Sequence, residues 1–181
     1  VTVSEMRMIE KGADARGVSY EQMMTNAGKG IADHIAKVFY NKAGNHVLGL
    51  VGSGNNGGDA IVALIELCKL GWETCCYQVK DRKPEDVLLG QYLSLGGQVI
   101  HRSQDAGLEE LKRQLNSANV VIDGVYGIGG RLPIEDDIVP LFEVINGWEN
   151  KPDILAVDCP SGIDCNSGEA SPSALQADTT L

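Results

Sequence analysis

The stretch 46-HVLGLVGSGNNGGDAIVALIEL-67 passes from a short apolar run through a glycine-rich loop into a second apolar segment. Strand, tight turn and helix in that order open a βαβ unit. The loop holds G-x-G-x-x-G at Gly52, Gly54 and Gly57, the pattern of an ordinary dinucleotide-binding turn. Its neighbours count against that plain reading. Asn55 and Asn56 fill the variable positions, and Gly58 and Asp59 follow. A carboxylate at a helix start opposes an incoming pyrophosphate, which favours positive potential there. Two subsidiary expectations are that Asp59 caps that helix and, under the dinucleotide reading, that Asp81 holds a ribose.

Outward from this unit the same alternation continues. Strands read at 46–51, 73–79, 98–102, 120–125, 153–158 and 177–181, with helical segments near 60–70, 85–95, 106–116 and 134–147. Apolar strands that each return through a helix predict a mainly parallel sheet covered on both faces: an α/β fold, a three-layer αβα Rossmann-like sandwich. Two N-terminal helices precede it. Ser4 is the expected N-cap of the first, which Gly17 ends, and 19-SYEQ-22 has capping-box spacing for the second. In that second helix Met23, Met24, Ala27, Ile31, Ile35 and Val38 recur at helical spacing, the pattern of core packing. Neither an internal repeat nor a linker interrupts residues 1–181, which read as a single domain. The sequence starts at Val1 without a methionine and stops inside 177-ADTTL-181, so the expectation is a piece of a longer polypeptide, truncated at its C-terminal end.

Composition narrows the function classes. Of 181 residues, 43% are hydrophobic, enough for a substantial core. With 25 acidic against 15 basic residues the net charge is −10, which repels phosphate backbones and anionic lipid. No apolar run approaches the ~20 residues that cross a bilayer. Cys68, Cys75, Cys76, Cys159 and Cys165 form no C-x-x-C pair, and His34, His46 and His101 are scattered. That pattern suits reduced core thiols better than a zinc site.

In the usual doubly wound order, strands one, four and five lie side by side, and ligands bind beyond their carboxyl ends. The unusual residues cluster there. After strand four comes 123-DGVYGIGGRLP-133, where Gly127, Gly129, Gly130 and Arg131 suit a phosphate, although a flexible turn with a solvated arginine fits the spacing equally. Asp123 interrupts an apolar strand, so it requires a counter-ion or hydrogen-bond donors. After strand five comes 158-DCPSGID-164, in which Asp158 either caps the Pro-Ser-Gly turn or faces a ligand. Ser161 lacks a G-x-S-x-G context and an evident histidine base, which argues against serine hydrolysis. By contrast, 80-KDRKPED-86 reads as a solvated charged turn. Asn56, Asp123 and Ser161 together offer amide, carboxylate and hydroxyl oxygens. A set with one charge and no soft ligand is compatible with a hard monovalent cation.

Three segments, 52-GSGNNGGDA-60, 123-DGVYGIGG-130 and 158-DCPSGIDCNSG-168, resemble the signature loops of the YjeF N-terminal domain family, the NAD(P)H-hydrate epimerases. The segment 6-MRMIEKGADARGVSYEQMMTNAGKGIA-32 is similar to that family's opening helices, so the resemblance covers nearly the whole chain. It implies an isomerase that interconverts the R and S hydrates of NAD(P)H at C6 of the nicotinamide ring and feeds an S-specific NAD(P)HX dehydratase, fused or separate. It implies that Asn55, Asn56, Gly57, Gly58 and Asp59 line the hydrate site. Gly127, Ile128, Gly129, Gly130, Arg131, Leu132 and Pro133 would then meet the phosphates, and Asp158 would touch the ring as its acid–base group. Asn56, Asp123 and Ser161 would hold one potassium ion per subunit. NAD(P)HX is substrate rather than cofactor on this reading, and a cytoplasmic homodimer is expected, with neither nucleic acid nor membrane as partner.

Departures from the family pattern are Ala60, where a glycine is usual, and Tyr126 and Gly130 in the second loop. The alternatives are a non-catalytic ligand-binding or dimerising scaffold on the same fold, and a hydride-transfer dehydrogenase. The presence of Asp59, Asp123 and Asp158 together favours the enzyme over the scaffold.

Overall fold

The protein is described from a computed structural model that covers residues 2–39 and 44–181. Helix α1 (Val3–Asp14) starts at Thr2, not at Ser4. The Thr2 hydroxyl accepts from the Glu5 amide at 3.3 Å and the Glu5 carboxylate accepts from the Thr2 amide at 2.7 Å. This reciprocal box has T-x-x-E spacing, which Ser4 cannot supply. Gly17, at φ +98°, ends the segment. Helix α2 (Tyr20–Val38) starts on Ser19, whose side chain accepts from the Gln22 amide at 3.1 Å. Only half of the expected box forms, because the Gln22 side chain turns forward to Asn26 at 2.9 Å. Ile31 and Ile35 are buried, but Val38 is exposed and Phe39 takes the inward position.

The strands are β1 (His46–Val51), β2 (Glu73–Gln78), β3 (Gln98–His101), β4 (Val120–Gly124), β5 (Asp153–Ala156) and β6 (Thr179–Thr180). Between them lie α3 (Asn55–Lys69), α4 (Val87–Ser94), α5 (Glu109–Ser117) and α6 (Val139–Asn146). The sheet order is β3-β2-β1-β4-β5-β6, with every pairing parallel. Successive strand residues point to opposite faces and feed two separate cores. Val47, Val51 and Cys76 pack with Ile35 of α2, Leu64 of α3 and Tyr92 of α4. Leu48, Leu50 and Tyr77 pack with Leu111 of α5 and Phe142 of α6. The three-layer sandwich read from the sequence is therefore the observed one. No helix among the described residues is long and apolar enough to cross a membrane.

Boundaries shift where tertiary packing overrides local preference. Helix α3 begins at Asn55, five positions before the apolar run, although Asn and Gly are poor helix formers. Helix α6 covers only Val139–Asn146, and β6 has two residues. The switch point lies between β1 and β4, where the chain winds outward in both directions, and the carboxyl ends of both strands open there.

Candidate active site

Main-chain contact assembles the crevice. The Gly52 amide donates to the Gly124 carbonyl at 3.1 Å, tying the loop after β1 to the end of β4. A Cβ at Gly52 would lie 2.1 Å from the Val125 carbonyl oxygen, and one at Gly57 would lie 2.1 Å from the Gly52 carbonyl oxygen. Only hydrogen fits at either position. Gly58 is bare for another reason: its missing side chain makes room for Met24 of α2, whose sulfur would sit 2.6 Å from a Cβ there. Ala60 is fully buried, and a Cβ at Gly124 would meet its methyl at 2.6 Å. The departure at Ala60 therefore falls on the helix–strand contact and not on the cavity wall.

The charged turn after β2 is not simply solvated. Arg82 reaches back across the sheet ends, where its Nη1 donates to the Gly52 and Gly54 carbonyls at 2.8 and 2.9 Å. Its Nε donates to Asp86 at 2.8 Å, and Asp86 in turn caps α4. Asp81, the ribose candidate of the dinucleotide reading, instead pairs with His101 at 3.1 Å on an exposed margin. Nor does Asp59 cap α3, since Gly54 holds that position without a side-chain bond.

Asp123 has the donors its burial demands. Its Oδ2 accepts from the Ser161 amide at 2.7 Å, while its Oδ1 accepts from the Ser161 hydroxyl at 2.6 Å and from the Val125 amide at 3.3 Å. It is Asp123, then, that fixes the Pro-Ser-Gly turn, leaving Asp158 free of that task. Burial nevertheless pushes the Asp123 carboxyl up to about 6, against the pull of those three donors. The Ser161 hydroxyl also accepts from the Tyr126 amide at 2.9 Å, which leaves one oxygen lone pair unengaged.

Against Gly127, Asn56 is 6% exposed, and neither its side-chain oxygen nor its side-chain nitrogen has a hydrogen-bond partner. A buried amide left bare costs about 1–3 kcal/mol, so its oxygen is suited to accept a ligand atom or ion. The Asp123 carboxylate, the Ser161 hydroxyl and the Asn56 amide oxygen are hard donors of low total charge, and these residues fit a monovalent cation on that chemistry.

Above them opens a cavity of about 460 Å³ lined by Asn55, Asn56 and Asp59 on one side and by residues 125–130 and Asp158 on the other. A Cβ at Gly127 would come within 2.9 Å of both the Asn56 amide oxygen and an Asp158 carboxylate oxygen, so these two groups converge on one glycine. Asp158 adopts a left-handed backbone (φ +62°), a conformation that Asp and Asn tolerate better than most residues. Its amide donates to the Leu181 carbonyl at 2.8 Å. The side chain stays open to the cavity, yet burial first and the Glu10 charge second raise its carboxyl above the ordinary range. Asp59 is pushed up to about 7, by burial first and then by Asp158 and Glu10. Arg131 and Leu132 border an adjoining cavity instead, and Pro133 follows a cis bond and borders neither.

The sequence reading missed four contributors: Arg7 and Glu10 of α1 and Lys80 after β2, which all line the cavity, and Arg82, which braces its loop. Nothing local marks them. The one available signal was that a helix of mixed charge precedes a site rich in carboxylates.

The raised Asp59 carboxyl has a thermodynamic consequence. Its folded value of about 7 exceeds its ordinary 3.8, so across that window the folded protein retains a proton that the unfolded chain releases. Stability is therefore greatest at low pH within the window and falls as pH rises through about 7. Asp158, Glu10, Arg7 and Lys80 face it across the cavity. In Asp59→Asn the fall in melting temperature between pH about 5 and about 7.5 becomes shallower. A slope identical to wild type would remove Asp59 as its source.

Residues 20–181 match the family model described as YjeF-related protein N-terminus. The chain is 35% identical over 183 residues to the NAD(P)H-hydrate epimerase of Achromobacter xylosoxidans (strain A8), covering 99% of this chain and 81% of that one. The NAD(P)H-hydrate epimerase of Yarrowia lipolytica is 33% identical, over 91% of this chain and 64% of its own length. The bifunctional NAD(P)H-hydrate repair enzyme Nnr of Hyperthermus butylicus is 28% identical, with all of this chain matching 33% of that protein. In fold, the chain superposes on the crystal structure of yeast ynu0, YNL200c, with a TM-score of 0.86 at 23% identity, covering 99% of this chain and 78% of that one. A match across the sheet and all three of its loop ends, with an epimerase relative similar over 81% of its own length, makes this chain a member of the YjeF-related protein N-terminus family.

Proposed function

We propose that the chain is an isomerase, an NAD(P)H-hydrate epimerase that interconverts the R and S hydrates at C6 of the nicotinamide ring. One observation carries the reading: Asp158, Asp59 and the bare Asn56 amide converge on one cavity at the β1–β4 switch point, in a chain 35% identical to a named epimerase. The hydrate binds along Asn55–Asp59 and Asp158, with its phosphates on the loop 127–132. The C6 hydroxyl belongs to a hemiaminal, so the N1 lone pair can expel it. Asp158, held protonated more readily than an ordinary carboxyl, gives its proton to the departing oxygen, and the C6–O bond breaks to release water. Water then adds to C6 from the opposite face and returns a proton to the Asp158 carboxylate, which inverts the centre.

Asn56, Asp123 and Ser161 hold a potassium ion in this proposal, and the support is the unpartnered Asn56 oxygen together with the single charge of the Asp123–Ser161 pair. When bound, the ion supplies positive potential at the floor of the ring site. The subunit is a homodimer through its N-terminal helices, supported by Met8 and Ile9, which are 65% and 57% exposed on the outer side of α1. The setting is cytoplasmic, supported by five free cysteines, and the S hydrate passes to a dehydratase, the step joined to this one in the bifunctional relative's name.

The test supplies purified R hydrate, the protein and a dehydratase of known S specificity, and follows regenerated NADH. R hydrate is consumed at a rate proportional to the protein added, and faster in potassium than in sodium at equal ionic strength. Persistence of R hydrate rejects the epimerase. Equal rates in the two salts reject the ion alone.

A further inference from the structure

Two cavities meet at the loop after β4. The ring cavity described above adjoins a second one of about 570 Å³, bordered by Val3, Arg131, Leu132 and the turn Asp164–Glu169. Four residues line both: Ile128, Gly129, Gly130 and Arg7. The Arg7 guanidinium closes over the loop, with Nη2 3.4 Å from where a Cβ of Gly129 would stand. Helix α1 is held against this loop system by the Val3 amide, which donates to the Asn166 side chain at 3.1 Å. Arg7 and Val3 lie four apart on the inner face of α1, with Glu10 three further on, whereas Met8 and Ile9 point outward.

Charge accounting singles out this side chain. The ring cavity contains the carboxylates of Glu10, Asp59 and Asp158, which repel any phosphate that enters beside them. Its cations are Lys80 and Arg7. Lys80 is paired with Glu135, and Arg82 behind the wall is taken up by Asp86 and two carbonyls. Among the described residues no hydrogen bond or ion pair engages the Arg7 guanidinium. An unpaired guanidinium at the saddle between two cavities, over a turn of glycines, has the fork geometry that binds phosphate oxygens in pairs.

We propose that Arg7 binds the pyrophosphate of a dinucleotide whose nicotinamide half occupies the first cavity and whose adenosine half occupies the second. The proposal rests on the epimerase reading, which leaves the far half of the substrate and the inner face of α1 unassigned. It gives a substrate contact to a helix outside the residues that match the family model. It also explains why a site crowded with carboxylates accepts an anionic substrate: the cation comes from outside the sheet.

Calorimetric titration with ADP-ribose, the dinucleotide without its ring, tests this in wild type, Arg7→Ala and Arg7→Lys. Loss of a charge-assisted pair weakens ADP-ribose binding about tenfold or more in Arg7→Ala, with partial recovery in Arg7→Lys and unchanged melting in both. AMP and nicotinamide mononucleotide, each filling one cavity, bind more weakly than ADP-ribose and differ less between wild type and Arg7→Ala. In the hydrate assay, kcat/KM of Arg7→Ala falls by a similar factor carried by KM. Equal ADP-ribose affinity in wild type and Arg7→Ala, or no binding to wild type, overturns the assignment while R hydrate conversion still upholds the epimerase. Weakened ADP-ribose binding in a protein that leaves R hydrate untouched upholds Arg7 as a dinucleotide contact and rejects the reaction.

Discussion

Asp158→Asn lowers kcat/KM for R hydrate by about 10²–10⁴-fold, the usual worth of a positioned general acid–base group. The amide keeps the size and the hydrogen-bonding shape of the side chain but cannot exchange a proton with the C6 oxygen. Asparagine also tolerates the left-handed backbone found at this residue (φ +62°), so the turn after β5 survives the exchange. Asp158→Ala would mix lost chemistry with backbone strain and is the poorer probe. The measurement is the coupled hydrate assay beside a thermal melt. A variant that melts with wild type and turns over within about twofold of it eliminates Asp158 as the acid–base group.

Gly52→Ala has the largest expected effect on stability. The added methyl would lie 2.1 Å from the Val125 carbonyl oxygen, with the Val125 carbonyl carbon at 3.0 Å. Both are main-chain atoms at the end of β4, so relief requires prising β1 and β4 apart where their loops converge. Overpacking of rigid structure costs about 3 kcal/mol or more, a large share of a typical domain's stability. For a chain of this size that corresponds to a melting temperature lower by about 10 °C, read by circular dichroism. Gly54→Ala is the control, since nothing lies within 4 Å of its Cβ position. Equal melting of the two variants would show that the close approach of the loops does not hold the crevice shut.

The fold was readable in 46–67 because strand and helix differ in period and the glycines between them mark a forced approach of main chains. Asp123 and Asp158 were readable too, since a carboxylate at the end of an apolar strand needs an explanation wherever it occurs. Their division of labour was not. Which aspartate clamps the Pro-Ser-Gly turn depends on where the Ser161 amide points, a matter of tertiary geometry across 38 residues of chain. Arg82 looked like one charge among many in 80-KDRKPED-86, and only the sheet order brings it to carbonyls 28 and 30 residues earlier. Arg7 was hidden in the same way, inside a helix whose inner and outer faces sequence periodicity leaves undistinguished. The start of α3 at Asn55 ran against propensity, because packing against Gly52 and Met24 rewards residues that a free helix would avoid.

The hydrogen bond from the Asp158 amide to the Leu181 carbonyl ties the candidate acid to the chain just after β6. Local opening of the β5–β6 pairing costs less than melting either core. Here that minor event would release the backbone on which the acid is aimed. Fraying of that pairing would disarm Asp158 while the folded body behind it is still whole.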